Sequence, residues 1–222
     1  MSTYEIEIKS LLGNAENALR LKDKITAKGA KLKFKNRQLN HYFILSDRKK
    51  FQEKFATLIE ESKKDAFNKI LNDAREISIR TRDTDGKVLL VLKASIGDDT
   101  SSNGVSRLEF EQAMKMSLDN LDERLLDAGL LYQAKWSRER EEYTLGDTQI
   151  CLDKNAGYGY LAEFEKISDN PAQAQQLKGE LYSLMSELEV VELPQDRLER
   201  MFAFYNSNWR DYYGTDRVFN VE

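Results

Sequence analysis

The sequence contains few of the residues that build covalent cross-links or soft metal sites. Among its 222 residues it has one cysteine, Cys151, and one histidine, His41. A single cysteine cannot form a disulfide within the chain, and sparse cysteine is typical of the cytoplasm. A zinc site made of imidazoles and thiolates needs more of these residues than the chain offers. We therefore expect oxygen ligands at any metal site, and a structural role for His41.

Long hydrophobic runs and targeting segments are also missing. No run reaches the roughly 18 apolar residues of a membrane span, so we expect no membrane partner. Residues 1–5 have neither a basic region nor an apolar stretch, so we expect no secretory signal and a cytoplasmic location. With only two prolines and 41% hydrophobic residues, the sequence predicts one folded domain over residues 1–222.

The charge balance bears on partners. A net charge of −4 provides no general positive field, so we do not expect binding to nucleic acid. A local basic pocket stays compatible with this balance. The basic run at residues 31–37 predicts a solvated edge strand.

Apolar spacing divides the chain into strands and helices. Strict alternation predicts strands, and three- to four-residue spacing predicts helices. The predicted strands are residues 4–9, 38–45, 77–82, 87–95, 106–111, 133–143, 148–153 and 160–166. The predicted helices are residues 14–29, 47–72, 118–131, 171–188 and 194–206. Turn signals at residues 83–86 and 146–147 predict hairpins, and polar loops are expected at 97–104 and 155–159.

Ionisable side chains occupy one face of many predicted strands. In the first strand Glu5, Glu7 and Lys9 alternate with Ile6 and Ile8. Equivalent sets follow at Arg80 and Arg82, at Arg107, Glu109 and Glu111, at Arg138 and Arg140, and at Glu163 and Glu165. A solvated outer face would explain any one strand. Neighbouring glutamates repel each other unless a cation lies between them, so the whole set favours an interior lined by both signs of charge.

Such an interior suits a polyphosphate together with its metal. Arginine and lysine bind phosphate oxygens, and arginine does so through a bidentate fork. Carboxylates repel phosphate, but they hold hard cations such as Mg²⁺ that bind phosphate oxygens in turn. The pattern therefore predicts a site for a triphosphate and a divalent metal. We expect Trp136 and Trp209 to pack within the protein rather than to stack on a base.

The order of these motifs resembles the CYTH superfamily, the triphosphate tunnel metalloenzymes. Residues 5–9 match its E-x-E-x-K signature, residues 79–82 its L-R-x-R strand and residues 107–111 its R-x-E-x-E strand. The remaining matches, over residues 4 to about 205, are residues 38–43 (Q-x-D-x-Y-F), Lys93, residues 138–143 (K/R-x-R-x-x-Y), Asp153 and residues 163–165 (E-x-E). Asn40 departs from a frequent aspartate and Arg138 from a frequent lysine.

The resemblance implies an α+β fold, an eight-stranded antiparallel β-barrel or tunnel with surrounding helices. Residues 47–72 would be a helical insertion, and residues 194–222 a helical and aromatic tail. The implied ligands of Mg²⁺ or Mn²⁺ are Glu5, Glu7, Glu109, Glu111, Asp153, Glu163 and Glu165. The implied triphosphate-binding residues are Lys9, Arg80, Arg82, Lys93, Arg107, Arg138 and Arg140. Lys9, with Glu5 and Glu7, is implied in catalysis through positioning of the attacking water.

The activity that the resemblance implies is hydrolysis by a metal-dependent triphosphatase. Its substrate would be a small-molecule triphosphate: tripolyphosphate, thiamine triphosphate or a nucleoside triphosphate. The alternative is a class IV adenylate cyclase that forms cyclic AMP and pyrophosphate from ATP, which the short opening E-I-E-I-K favours. A second alternative is a non-catalytic polyphosphate- or nucleotide-binding protein. The sequence leaves a homodimer open.

Overall fold

The computed structural model describes residues 4–74, 76–95 and 107–221. Strands and helices are interspersed along this part of the chain. The strands are β1 (Tyr4–Gly13), β2 (Lys31–Ile44), β3 (Glu76–Thr84), β4 (Lys87–Ser95), β5 (Arg107–Ala113), β6 (Leu131–Leu145), β7 (Thr148–Asn155) and β8 (Gly159–Ser168). The α-helices are α1 (Ala15–Ala27), α2 (Arg48–Phe55), α3 (Lys64–Asp73), α4 (Leu118–Asp127), α5 (Ala174–Glu187) and α6 (Gln195–Asn208).

The eight strands of the described residues form one sheet, in the order β1-β8-β7-β6-β2-β3-β4-β5. The register is antiparallel from β1 through β8 and β7 to β6, and from β2 through β3 and β4 to β5. This confirms the predicted fold class, an α+β protein with the eight-stranded antiparallel sheet of the tunnel proteins. None of the described helices combines the length and the apolar character that crossing a membrane requires.

The described residues divide into two compact units. The first unit contains the described residues up to Arg37 and those from Ser137 onward, and the second contains those from Gln38 to Trp136. Strands β2 and β6 each supply residues to both units. That residues 1–222 form a single domain stays a prediction.

Alternation along β1 separates a buried face from a charged face in the first unit. Ile6 and Ile8 are 2% and 0% exposed and join a core with Phe164 of β8. Leu21 of α1 and Leu181 of α5 cover that core from the helical side. Because side chains alternate along a strand, the opposite face of β1 carries Glu5, Glu7 and Lys9, as the sequence predicts.

The second unit is built in the same way on β2 to β5. Ile79 and Phe110 lie in its core, and the alternate positions of the same strands carry the charged residues. Helices α2, α3 and α4 cover the apolar face through Phe51, Phe67 and Leu121.

The single helix predicted over residues 47–72 is wrong, because α2 ends at Phe55 and α3 begins at Lys64. Between them the Leu58 N–H donates to the Phe55 carbonyl at 2.8 Å, which tightens the turn. The Glu60 N–H donates to Oε1 of Gln112 on β5, at 2.9 Å, instead of to a helical carbonyl. Periodicity did not reveal the break because both helices bury their apolar residues in one core.

The basic run at residues 31–37 is a strand, as predicted, and it extends past the register of β2 with β3, which covers Gln38–Phe43. It belongs to β2, which lies between β6 and β3 in the sheet. Lys35 Nζ lies 3.1 Å from Glu141 Oε1, and Arg37 Nε lies 4.0 Å from Glu139 Oε1. The exposed basic side chains of this run therefore form ion pairs with glutamates of β6.

Turn chemistry fixes two of the hairpins. Asp85 and Gly86, between β3 and β4, have φ values of 49° and 88°. Both angles lie in the left-handed region that an Asp-Gly hairpin turn requires. Asp83 Oδ1 accepts a hydrogen bond from the Gly86 N–H at 2.7 Å. Gly146, between β6 and β7, also has a positive φ, so both predicted turns are present. The loop predicted at residues 97–104 lies outside the described residues.

Candidate functional site

Arg140 lies between two carboxylates on the charged face of the first unit. The register of β6 and β7 places Arg140 opposite Asp153. Its Nε donates to Asp153 Oδ1 and its Nη2 to Asp153 Oδ2, both at 2.7 Å, which makes a bidentate pair. Nη2 also donates to Glu163 Oε2. Arg138 Nη1 donates to Asp153 Oδ2 at 2.9 Å, so two guanidinium groups hold one carboxylate that is 1% exposed.

Lys9 extends this charged face onto β1. In the register of β1 and β8 it lies opposite Glu163, and its Nζ is 4.0 Å from Glu163 Oε1. The same ammonium forms an ion pair with Glu7 on its own strand. The Leu193 N–H donates to the Lys9 carbonyl at 2.7 Å, which fixes the backbone of β1 at this residue. Lys9 is therefore held between two of the predicted metal ligands.

Opposing effects set the protonation of this face. Burial alone would raise the pKa of Glu163, but the charges of Arg140, Lys9 and Arg138 outweigh it and hold that pKa well below its usual range. Burial would likewise lower the pKa of Arg140, and the charges of Asp153 and Glu163 raise it well above its usual value. These groups thus stay ionised near neutral pH.

Two glutamates also lie opposite each other in the strand register on this face. Glu7 and Glu165 are opposite partners in the register of β1 and β8, and Gln149 of β7 is the partner of Glu165 on the other side. Among the described residues this face carries more carboxylates than cations: Lys9, Arg138 and Arg140 against Glu5, Glu7, Glu142, Asp153, Glu163 and Glu165. Across the described residues, no group of three or more His, Cys, Asp and Glu side chains is placed to hold a metal ion.

The second unit carries its own charged face, with arginines on β3 and carboxylates on β5. Arg80 Nη2 lies 3.7 Å from Glu109 Oε1, and Lys93 Nζ lies 3.2 Å from Glu109 Oε2. Arg82 Nη1 donates to Glu111 Oε1 at 3.1 Å. Here three cations face two carboxylates, so the excess charge is positive and suits an anion.

Two residues of β2 orient these arginines. Asn40 and Tyr42 lie opposite Arg82 and Arg80 in the register of β2 and β3. Arg82 Nε donates to Asn40 Oδ1 at 3.0 Å, and Arg80 Nη1 donates to the Tyr42 hydroxyl at 2.8 Å. The sequence reasoning assigned neither role. The Q-x-N-x-Y-F stretch carries the signal, because strict alternation places its Asn and Tyr on one strand face.

The structure thus collects the predicted site residues in two sets. The first set is Glu7, Lys9, Arg138, Arg140, Asp153 and Glu163, with Glu5 and Glu165 on the same strand faces. The second set is Arg80, Arg82, Lys93, Glu109 and Glu111. Arg107 occupies a backbone position in β5, and its side chain lies outside the described residues.

His41 takes part in a buried network apart from both sets. Its Nδ1 lies 2.6 Å from Asp122 Oδ2, and both residues are nearly inaccessible to solvent. Thr81 and Tyr132 also donate to Asp122, at 2.6 and 2.7 Å. Burial would raise the pKa of Asp122, but the hydrogen bonds from His41, Thr81 and Tyr132 lower it. The network joins β2, β3 and β6 to α4, which agrees with a structural histidine.

The comparison with protein families decides where the chain belongs. The sequence model of the CYTH domain matches residues 60–197, more than half of the chain. The chain belongs to the CYTH family. The comparison with curated protein sequences found no match.

Solved structures resemble this CYTH protein over most of its length. A Pyrococcus horikoshii protein is 20% identical with a TM-score of 0.62, covering 89% of this chain and 99% of its own. A candidate adenylate cyclase from Vibrio parahaemolyticus is 13% identical with a TM-score of 0.62, covering 91% and 99%. A candidate adenylyl cyclase from Hippeastrum, described with a dominant triphosphatase activity, is 18% identical with a TM-score of 0.51, covering 86% and 90%. At these identities the likeness shows the fold.

Proposed function

We propose that this CYTH protein is a divalent-metal-dependent triphosphatase acting on a small-molecule triphosphate. The observation that carries this proposal is the pair of charged strand faces, each of which presents three cations beside carboxylates. The cations assigned to the triphosphate are Lys9, Arg80, Arg82, Lys93, Arg138 and Arg140, together with Arg107. Within each unit the described cations suit an anion with many oxygens, since arginine forks and ammonium groups bind phosphate oxygens strongly.

The carboxylates of the first unit fit a divalent metal. Glu7 and Glu165 oppose each other, and the Gln149 amide oxygen is a further hard donor on the neighbouring strand. Magnesium in phosphoryl-transfer sites is usually held by one or two carboxylates and by substrate phosphates, so a pair suffices. The other candidate ligands are Glu5, Glu109, Glu111, Asp153 and Glu163. When bound, Mg²⁺ or Mn²⁺ would supply charge neutralisation at phosphate oxygens and activation of water.

The chain's own groups would perform three tasks. Lys9, between Glu7 and Glu163, would hold its ammonium against the terminal phosphate and orient the attacking water. Arg138 and Arg140 would stabilise the charge that develops on the phosphate oxygens. Glu163, whose pKa lies well below its usual range, would keep its charge and orient Arg140 and Lys9 rather than donate a proton.

A product assay on the purified protein tests this proposal. Tripolyphosphate, thiamine triphosphate and ATP are each supplied with Mg²⁺ or Mn²⁺, and orthophosphate and cyclic AMP are both measured. The description of the Hippeastrum protein names a cyclase and a triphosphatase activity, which is why both products are followed. We expect orthophosphate release that a chelator abolishes. Formation of cyclic AMP with equimolar pyrophosphate would show that the protein is the cyclase instead. If neither orthophosphate nor cyclic AMP forms, the non-catalytic binding protein is the remaining alternative.

Variants connect the activity to the proposed residues. Replacing Glu5 and Glu7 together by glutamine should abolish turnover. The matched control is Glu139→Gln, a glutamate on β6 whose side chain is 44% exposed and paired with Arg37. Full activity of the double variant would overturn the proposal.

A further inference from the structure

Two aromatic rings lie beside Arg80 in the second unit. Tyr42 of β2 and Trp136 of β6 have ring centroids 6.0 Å apart, with their planes tilted by 55°. The Arg80 guanidinium carbon is 5.6 Å from the centroid of the Tyr42 ring. Both aromatic residues are half-buried. The rings therefore adjoin one of the cations that we assign to the triphosphate.

These rings are not part of the core of that unit. The core aromatics Phe43, Phe51, Phe55, Phe67 and Phe110 are at most 4% exposed. Tyr132, on the same strand as Trp136, packs against that core, whereas Tyr42 and Trp136 do not belong to it. The register of β2 and β3 places Tyr42 opposite Arg80, on the charged face. Both rings thus lie outside the described core of that unit.

Arg80 fixes the position of the Tyr42 ring. Arg80 Nη1 donates to its hydroxyl at 2.8 Å, so the ring and the guanidinium are fixed together. A phosphate bound to Arg80 would leave whatever is attached to it within reach of the aromatic pair. Accessible aromatic faces favour planar, π-rich groups, because every nucleobase or similar heterocycle presents a face for stacking.

We propose that Trp136 and Tyr42 bind a planar heterocycle attached to the triphosphate, so that the substrate is a nucleoside triphosphate or a thiamine-type triphosphate rather than tripolyphosphate. This inference rests on the proposed function and specifies its substrate class. The two rings act as specificity-determining residues, and the phosphates are bound by the cations already described. The packing role that the sequence favours for Trp136 is replaced by contact with the ligand.

Substrate ratios test the inference. For Trp136→Leu we expect kcat/KM with ATP or thiamine triphosphate, relative to tripolyphosphate, to fall on the order of tenfold, a loss typical of aromatic stacking on a base. Trp136→Phe should recover most of the ratio, because it restores a ring. The matched control is Trp209→Leu, the other tryptophan, which should keep the wild-type ratio. A Trp136→Leu ratio equal to that of the control would overturn the inference.

Fluorescence provides a readout that does not depend on turnover. The chain has two tryptophans, so Trp209→Phe leaves Trp136 as the only indole. We expect β,γ-imido-ATP or thiamine diphosphate to change the emission of Trp136. The compound that carries the heterocycle of the true substrate should do so at the lower concentration. Imidodiphosphate, which has no ring, should have little effect.

The two proposals fail in different ways. Turnover of triphosphates with an unchanged substrate ratio would overturn the aromatic site and leave the triphosphatase. Absence of turnover would overturn the triphosphatase, and the fluorescence titration would then decide the aromatic site alone. An equal change in Trp136 fluorescence with probes that have a ring and with imidodiphosphate would overturn the aromatic site.

Discussion

Glu7 and Glu165 lie directly opposite each other on the paired strands β1 and β8. Like charges in this position destabilise a strand pair by about 0.2–1 kcal/mol. Lys9 pairs with Glu7 and compensates for part of this repulsion. A divalent cation bound to both carboxylates would offset the remaining repulsion.

Glu165→Gln should therefore separate the stability of the metal-free protein from its response to metal. With a chelator present we expect the melting temperature to change by no more than about 1–3 °C, because removal of the repulsion from Glu7 is offset by loss of the other interactions of Glu165. The rise that Mg²⁺ or Mn²⁺ causes in the wild type should be largely lost. Thermal unfolding with and without metal measures both effects, and Glu139→Gln is the control. An undiminished metal-dependent rise in Glu165→Gln would exclude this carboxylate as a ligand.

Arg140→Gln should be the most destabilising change on the charged face of the first unit. It removes two hydrogen bonds from Asp153, which is 1% exposed, and one from Glu163. Loss of one partner from a buried ion pair costs about 3–5 kcal/mol, which corresponds to a fall of about 10 °C in melting temperature. Arg37→Gln is the control, since the Arg37 side chain is 83% exposed and its pair contributes little. Similar melting temperatures for Arg140→Gln and Arg37→Gln would contradict the prediction that the buried ion pairs of Arg140 stabilise the fold.

Glu141 should make stability depend on pH in the acid range. Burial opposes its ionisation, but hydrogen bonds from Lys22, Tyr143 and Lys35 lower its pKa from 4.5 to about 2. A carboxylate with a depressed folded-state pKa contributes stability above the unfolded-state value and loses it as the pH falls. We therefore expect the wild type to lose stability between pH 4.5 and pH 2 more steeply than Glu141→Gln.

Urea unfolding at several pH values within this window measures that difference. Glu187→Gln, at a glutamate whose side chain is 59% exposed, is the control and should follow the wild-type slope. Parallel slopes for wild type and Glu141→Gln would refute the prediction.

Gly157→Ala should destabilise the contact between the β7–β8 turn and the C-terminal segment. A Cβ at this position would lie 2.7 Å from the Tyr205 ring and 2.9 Å from the Phe219 ring, at a φ of +85°. Gly146→Ala is the control, because it also has a positive φ but no atom within 4 Å. Both variants share the conformational cost of about 1–2 kcal/mol, and overpacking should add about 1–3 kcal/mol at residue 157 alone. Urea unfolding measures the free energy of unfolding of both variants. Equal decreases in the two would contradict the prediction, because they would mean that the rings of Tyr205 and Phe219 move to accommodate the new Cβ.

Local pattern predicted the charged faces and the turns. Alternation at residues 4–9 was sufficient to place Glu5, Glu7 and Lys9 opposite Ile6 and Ile8, because successive side chains of a strand point to one or the other of two faces. The Asp-Gly turn at residues 85–86 was predictable for a similar reason, since few residues adopt left-handed angles.

Contacts between distant segments were beyond such patterns. Tyr42 and Trp136 meet only through the pairing of strands that are far apart in sequence, and His41 and Asp122 are 81 residues apart. The break between α2 and α3 depends on a hydrogen bond from Glu60 to Gln112, 52 residues away. Apolar periodicity carries no information about such partners.

The pairing of Arg140 with Asp153 and Glu163 has a thermodynamic consequence for ligand binding. An anion that takes over the guanidinium hydrogens must displace carboxylate oxygens, and the released carboxylates become available to a cation. Anion and cation would then assist each other, and linkage requires each to raise the affinity of the other by the same factor. Polyphosphate and divalent metal should consequently bind as cooperative ligands, with each titration curve shifting when the other ligand is present.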